Sequence, residues 1–352
     1  MFFLSRNAKR QRVPHRGLGF GYLTFVTYLV VASSVASSVA CRSGDREAGA
    51  PGTQHAATRG ATPSAGLAPA DTDDFGTPLP SDASYARRVV SLNPTATEVL
   101  FAIGAQARLV GRSAWDEFPP DAAAIPSVGN GIRPNIEAVL QQRPTLVILY
   151  ATAENRAAAE AFARAGVRTM SLRVDRIAQF MSFTTRLGVA VGEVDRARAL
   201  VDSVQHTLDA VRTVTSTAKR LTVVWPLWQQ PVLAVGGGSY LDELLEIAGG
   251  QNVFHDLLAP SPPVSIEEIA RRNPDQIVAT KRTASEISAK PQWKAVPAVR
   301  EQRWLHHDPV LTGRPSVVLG SAAVSLARLL HPELTAKLPL LPGAPLMKRR
   351  AP

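Results

Sequence analysis

The chain has 352 residues, 45% of them apolar and 19% charged, with a formal net charge of +10. That composition can build a core, and the length exceeds what one compact domain needs, so a disordered or fibrous chain is set aside in favour of two lobes plus non-domain sequence. Five of the positive charges (Arg6, Lys9, Arg10, Arg12 and Arg16) sit in the acid-free residues 1–40, leaving +5 with no run of five basic residues, so the charge does not indicate nucleic acid.

Along the chain, the basic stretch up to Arg16 precedes an apolar run from about Leu18 to Ala40, the pattern of an export signal over residues 1–40. The run is also nearly long enough for an uncleaved membrane anchor. Either reading predicts an extracytoplasmic protein held at a membrane. Cys41 is the single cysteine, which rules out an intrachain disulfide framework. Ser38-Val39-Ala40-Cys41 resembles a bacterial lipobox, and the resemblance implies that Cys41 is lipidated. Residues 41–84 are rich in Ala, Gly, Pro, Thr, Ser and Asp and read as a disordered tether, because they offer too little apolar surface to offset ordering entropy.

Folding is predicted to begin with a strand at Arg88–Leu92, a turn at Asn93–Thr97 and a helix from Glu98 to Ile103 closed by Gly104. A strand around Arg108–Gly111 follows, then a loop with Trp115 and Pro119-Pro120. A helix Ile136–Gln142, a strand Leu146–Tyr150, a helix near Arg156–Ala165 and a strand Val167–Leu172 complete the first lobe, residues 85–174. This alternation indicates a parallel α/β sheet. Residues 175–217 carry apolar residues at helical spacing, with a break at Gly188 and Gly192. The second helix, about Glu193 to Thr215, is long enough to bridge two lobes.

The same order then returns. Asn135-Ile-Glu-Ala-Val-Leu-Gln-Gln-Arg-Pro144 recurs as Ser265-Ile-Glu-Glu-Ile-Ala-Arg-Arg-Asn-Pro274, offset by 130 residues. A weaker echo pairs Glu98–Gly104 with Glu243–Gly249. The fold class is therefore α/β, two Rossmann-like lobes with parallel sheets (the second over residues 218–332) joined by a long helix, with residues 333–352 as a tail.

No catalytic set is found: Gly236-Gly-Gly-Ser239 lacks the lysine and spacing of a phosphate loop, and no HEXXH, Cys–His pair or nucleophile elbow is present. His306-His307 could touch a metal, but adjacent strand residues face opposite ways, so a surface or core role is expected and no metal site is assigned.

The segments Val90–Glu98 and Gly111–Pro120 and the two Ile-Glu helices resemble the helical-backbone family of ABC-importer binding proteins, which carry vitamin B12, haem or ferric siderophores. The resemblance covers about residues 86–331 and looks closest to the vitamin B12 branch around Trp115. It implies a carrier rather than an enzyme, monomeric, with no covalent cofactor. Its ligand would be cobalamin or another corrinoid, with haem or a ferric siderophore as the alternative, and its partner an ABC permease dimer. The implied ligand site is the inter-lobe cleft, with Asn93, Thr95, Trp115, Asn130, Tyr150, Trp225, Trp228 and Arg314 as candidates. Trp115 and Tyr150 match positions where that branch sets aromatics against the corrin, while Gly131 and Ser261 stand where it often carries tryptophan. Glu137 and Glu267 fall in the first turns of the repeated helices. There they favour the helix dipole on their own, but two equivalents on duplicated lobes match the family's permease-docking glutamates. Ser265 and Glu268 also fit a capping box, which leaves Glu267 free to point outward.

Overall fold

The computed structural model describes residues 72–340. The export signal, Cys41 and the tether as far as residue 71, and the tail from residue 341, lie outside the described residues. Among the described residues no helix is long and apolar enough to cross a membrane.

The N-terminal lobe contains β1 (Val89–Ser91), α1 (Pro94–Ala102), β2 (Leu109–Arg112), α2 (Ile136–Gln141), β3 (Leu146–Tyr150), α3 (Ala153–Arg164) and β4 (Arg168–Leu172). Its parallel sheet has the order β2-β1-β3-β4. Two helices follow, α4 (Ile177–Val191) and α5 (Val194–Thr215). The C-terminal lobe starts with β5 (Leu221–Val224) and a small antiparallel hairpin, β6 (Pro226–Gln229) and β7 (Val232–Ala234). It continues through α6 (Tyr240–Ile247), β8 (Gly250–Asn252), α7 (Ile266–Arg272), β9 (Gln276–Ala279) and α8 (Lys281–Ser288). Next come α9 (Pro297–Arg300), β10 (Trp304–His306), α10 (Pro309–Thr312) and α11 (Leu319–Leu330). The second sheet is also parallel, ordered β8-β5-β9-β10. Strand for strand, the two sheets have the same topology, so the repeat in sequence is a repeat of structure.

The strands sort their side chains by the two-residue period of extended chain. Val90, Val147 and Leu149 face an outer core with Phe162 of α3, and Val224 and Ile277 face another with Phe254 and Trp293. Their neighbours Val89, Leu146 and Ile148, and Val223 and Val278, turn the other way into one continuous core. That core runs through Phe180 and Phe183 of α4, Leu208 and Val211 of α5, and Leu326 of α11. Each lobe keeps a private core on one face of its sheet and shares the other. The helix α5 has 22 residues, so it is about 33 Å long at ~1.5 Å per residue.

Three local readings are refined. Helix α1 begins at Pro94, four residues before the expected start, because Asn93 accepts a hydrogen bond from Thr95 N (3.0 Å) and proline suits the first helical position. The break between α4 and α5 falls at Gly192, which ends α4 at φ 71°, while Gly188 stays helical. A Cβ on Gly188 would lie 2.3 Å from Ala197 Cβ, so glycine lets the two helices pack closely. Residues 72–84, read from composition as tether, are partly built into the lobe. Asp73 accepts from Phe75 N (2.9 Å), Thr77 N (2.8 Å) and Ser171 N (2.9 Å), and Asp74 N donates to Ser171 O (2.9 Å). This segment covers the outer edge of β4, and Phe75 lies under the Arg156 guanidinium at 4.5 Å.

Candidate functional site

The segments at and after the carboxyl ends of the strands carry the polar and aromatic residues of interest. The lobes are tied there by two crossed ion pairs. Glu98 of α1, 1% exposed, binds Arg314 on the segment before α11, and Ser316 adds a hydrogen bond. Glu243 of α6 binds Arg176, on the segment before α4, at 2.7 Å, and accepts from Ile177 N at 2.8 Å. These are the two glutamates of the weaker sequence echo, and each reaches into the other half of the molecule. Burial pushes the Glu98 carboxyl above its ordinary range, against the pull of the Arg314 guanidinium. Thr95 Oγ1 adds a hydrogen bond to Pro315 O (2.8 Å), and Tyr240 N donates to Asp175 O (2.8 Å).

The sequence-named candidates divide between wall and frame. Trp115, 41% exposed, and Trp228, 40% exposed, are open aromatic surfaces on the β2 loop and on β6. Trp228 Nε1 donates to Gln230 O at 2.9 Å, which fixes the indole on its hairpin. Tyr150, half-buried at the end of β3, donates its hydroxyl to Asp175. Asn93 and Thr95 are buried in the cap of α1 and in the inter-lobe bond. Asn130 is exposed, with its side-chain oxygen accepting from Ile132 N (2.7 Å) and Arg133 N (3.2 Å). Arg314, 31% exposed, spends Nε and one terminal nitrogen on Glu98. Trp225, expected as a cleft wall, is 2% exposed and packs against His307 with ring centroids 4.7 Å apart. Gly131 is buried, and a Cβ there would meet Leu92 O at 2.6 Å, so this point of the lobe has no room for a bulky wall.

Three bracing contacts were not legible in sequence, at Asp116, Asp242 and Asn155. Asp116, fully buried, accepts from Ser113 Oγ and Thr97 Oγ1 and anchors the loop that presents Trp115. Burial pushes its carboxyl up to about 6. In the second lobe Asp242 of α6 binds His255 Nδ1 at 2.8 Å, the same helix-to-loop brace with the acid on the opposite side. Asn155 donates to Gly131 O and Tyr150 O, both at 3.0 Å, and joins two loops of the first lobe. His307 bonds Thr312 Oγ1 at 2.8 Å, and burial holds its imidazole down to about 4. His307, expected from sequence to take a surface or core role, is half-buried against Trp225.

The repeated helices show what was expected of their first turns, with one change. Asn135 accepts from Ala138 N (3.1 Å) and Ser265 Oγ from Glu268 N (3.0 Å), and Glu137 and Glu267 are exposed. The Glu268 carboxylate turns forward to Arg271 and Arg272 instead of back to the cap. Two open concavities of about 580 and 330 Å³ lie on the second lobe, beside β8 with α7 and beside α8 with β10; Glu268 lines the first and His306 the second, and none of the ligand candidates lines either. Among the described residues no cluster of three or more His, Cys, Asp or Glu is placed to hold a metal ion.

Residues 89–311 match the family model described as periplasmic binding protein. The chain belongs to this family. Among curated relatives, the vitamin B12-binding protein of Vibrio parahaemolyticus is 25% identical over 214 residues, covering 60% of this chain and 78% of the relative. That of Salmonella typhimurium is 25% identical over 215 residues, covering 61% and 80%. Among solved structures, the periplasmic vitamin B12-binding protein of Vibrio cholerae superposes with a TM-score of 0.62 at 22% identity, covering 70% of this chain and 97% of that one. The periplasmic haem-binding protein of Roseiflexus sp. RS-1 also gives 0.62 at 22% identity, covering 72% and 100%. As a periplasmic binding protein the chain is a carrier and not an enzyme. Its two lobes and the long α4–α5 connection are the fold these structures share.

Proposed function

We propose that the protein is the lipid-anchored solute-binding component of an ABC importer, which captures a corrinoid between its lobes and delivers it to the permease. The observation that carries this is the pair of open indoles, Trp115 and Trp228, on two different lobes at the strand-end side, in a chain whose curated relatives include vitamin B12-binding proteins. A broad ligand with an apolar face is suited to rigid aromatic walls, which lose little conformational freedom on binding. Tyr150 and Asn130 lie among the same loops and offer polar contacts to peripheral amides. Cys41 would carry the lipid, and the stretch from Cys41 to about residue 71 would give the lobes reach from the membrane. Glu137 and Glu267, one on each lobe, would meet basic residues of a two-fold permease.

Isothermal titration of cyanocobalamin and cobinamide into the detergent-solubilised full-length protein tests the assignment. Dissociation constants below about 1 μM are expected. Trp115→Ala is expected to weaken binding by about 10- to 100-fold, the worth of about 1.5–3 kcal/mol of buried aromatic surface. If neither corrinoid binds while haemin or a ferric chelate does, the corrinoid assignment is wrong and the same fold serves the other ligand class. The haem alternative is favoured by one feature of this chain, the Tyr150 phenol at a strand end.

A further inference from the structure

Three consecutive residues of the segment before α11 grip helix α1 of the other lobe. Arg314 binds the Glu98 carboxylate, Pro315 O accepts from Thr95 Oγ1 at 2.8 Å, and Ser316 adds a hydrogen bond to Glu98. Thr95 and Glu98 stand three apart in the helix, so one face of α1 takes the whole grip. Between them in sequence, Thr97 donates its hydroxyl to Asp116. Asp116 in turn accepts from Ser113 Oγ, and that oxygen accepts from Trp115 N at 3.2 Å. The loop's other ties, Ala114 N to Gly129 O (2.7 Å) and Arg112 Nη1 to Ser113 O (3.0 Å), do not involve α1. The Thr97–Asp116 bond is therefore the link between the gripped helix and the loop that carries the open indole.

Helix α1 is built to pass a displacement on. Every residue from Thr95 to Leu100 is buried, and a close-packed interior transmits strain because it has little room to absorb it. Glu98 and Asp116 also act on each other: burial first, and then the Asp116 charge, push the Glu98 carboxyl up. Arg314, named from sequence as a ligand contact, has two of its nitrogens on Glu98 and a side chain 31% exposed.

We infer that Arg314 is a positioning residue: seated on Glu98, it holds α1 so that Thr97 and Asp116 fix the loop presenting Trp115. An aromatic surface of the first lobe is then set by a contact from the second. The use of Trp115 as a ligand wall rests on the corrinoid reading above, and the link from Arg314 to its loop is tested without ligand.

The chain has five tryptophans, so fluorotryptophan labelling of the full-length protein in detergent gives five fluorine resonances, with Trp115 assigned by its loss in Trp115→Phe. Arg314→Lys keeps the charge but cannot bind Glu98 through two nitrogens. It should shift the Trp115 resonance and leave that of Trp293, in the outer core of the second lobe, in place. Ser316→Ala loosens the same grip without removing a charge and should shift it too, which decides the matter if Arg314→Lys does not fold. In a Thr97→Val background the Arg314→Lys shift should vanish, and Thr97→Ser, which keeps the hydroxyl, should restore it. A Trp115 resonance that neither grip variant moves would overturn the inference, and so would a shift that survives Thr97→Val. With cyanocobalamin, Arg314→Lys and Thr97→Val should each weaken binding about tenfold, and the pair together by no more than either alone. Losses that multiply would mean that Arg314 acts on the ligand independently, which also overturns the inference. If the wild type binds no corrinoid, the corrinoid assignment falls and the fluorine shifts still decide this inference.

Discussion

Asp116 costs stability at neutral pH in order to hold a loop. Its carboxyl is raised from an ordinary 3.8 to about 6, so the folded chain binds that proton more tightly than the unfolded chain. The stabilisation from the protonated form is complete below about 3.8 and is lost as pH rises through about 6, a total of about 3 kcal/mol. Asp116→Asn keeps an acceptor for Ser113 or Thr97 without the charge. Urea unfolding at pH 4 and pH 7 should show the variant gaining about 2 kcal/mol on the wild type across that interval; parallel curves would show that Asp116 is not so perturbed. The Glu98–Arg314 pair makes a second residue-scale case, because its members are unequally buried. Arg314→Met strands a carboxylate with almost no exposure and should cost about 3–5 kcal/mol, whereas in Glu98→Gln the half-open arginine can turn to water, for about 1–3 kcal/mol. Burial already raises Glu98, so the Arg314→Met loss should shrink at low pH as the stranded acid takes a proton. An equal loss at pH 5 and pH 8 would argue against this.

At the scale of elements, duplication explains more than any single motif. Helices α2 and α7 share an N-cap, an exposed glutamate in the first turn and a buried apolar residue facing the sheet. Neither Glu137 nor Glu267 takes part in an ion pair among the described residues. Charge reversal at both sites should therefore leave corrinoid binding and thermal unfolding nearly unchanged and abolish uptake in cells that depend on this carrier; intact uptake would remove the docking role. Helices α1 and α6 show the other use of duplication. Their echoed glutamates, Glu98 and Glu243, were visible as a repeat, but nothing in a one-dimensional pattern says that each pairs with an arginine of the opposite half. The small clip at residues 73–77 was missed for a related reason. Composition averages over a window, while one aspartate side chain supplies three hydrogen bonds that order the backbone around it.

For the whole molecule, the decisive feature is a single apolar core running from the first sheet through α4 and α5 to the second. Lobes that share a core should not unfold separately, so far-UV circular dichroism and tryptophan fluorescence are expected to report one coincident urea transition. Two resolved transitions would show that the lobes are independent. Local patterning alone determined the alternation of strands and helices, the duplication, the capped first turns and the long bridging helix, because each depends on residues close along the chain. The sequence also named Trp115 and Trp228 as candidate ligand residues, and in the structure they are 41% and 40% exposed. Only the tertiary structure decided that Trp225 is core and that Arg314 is held by Glu98. Those outcomes depend on partners separated by up to 216 residues, whose contact is set by how two sheets and their connecting helices pack.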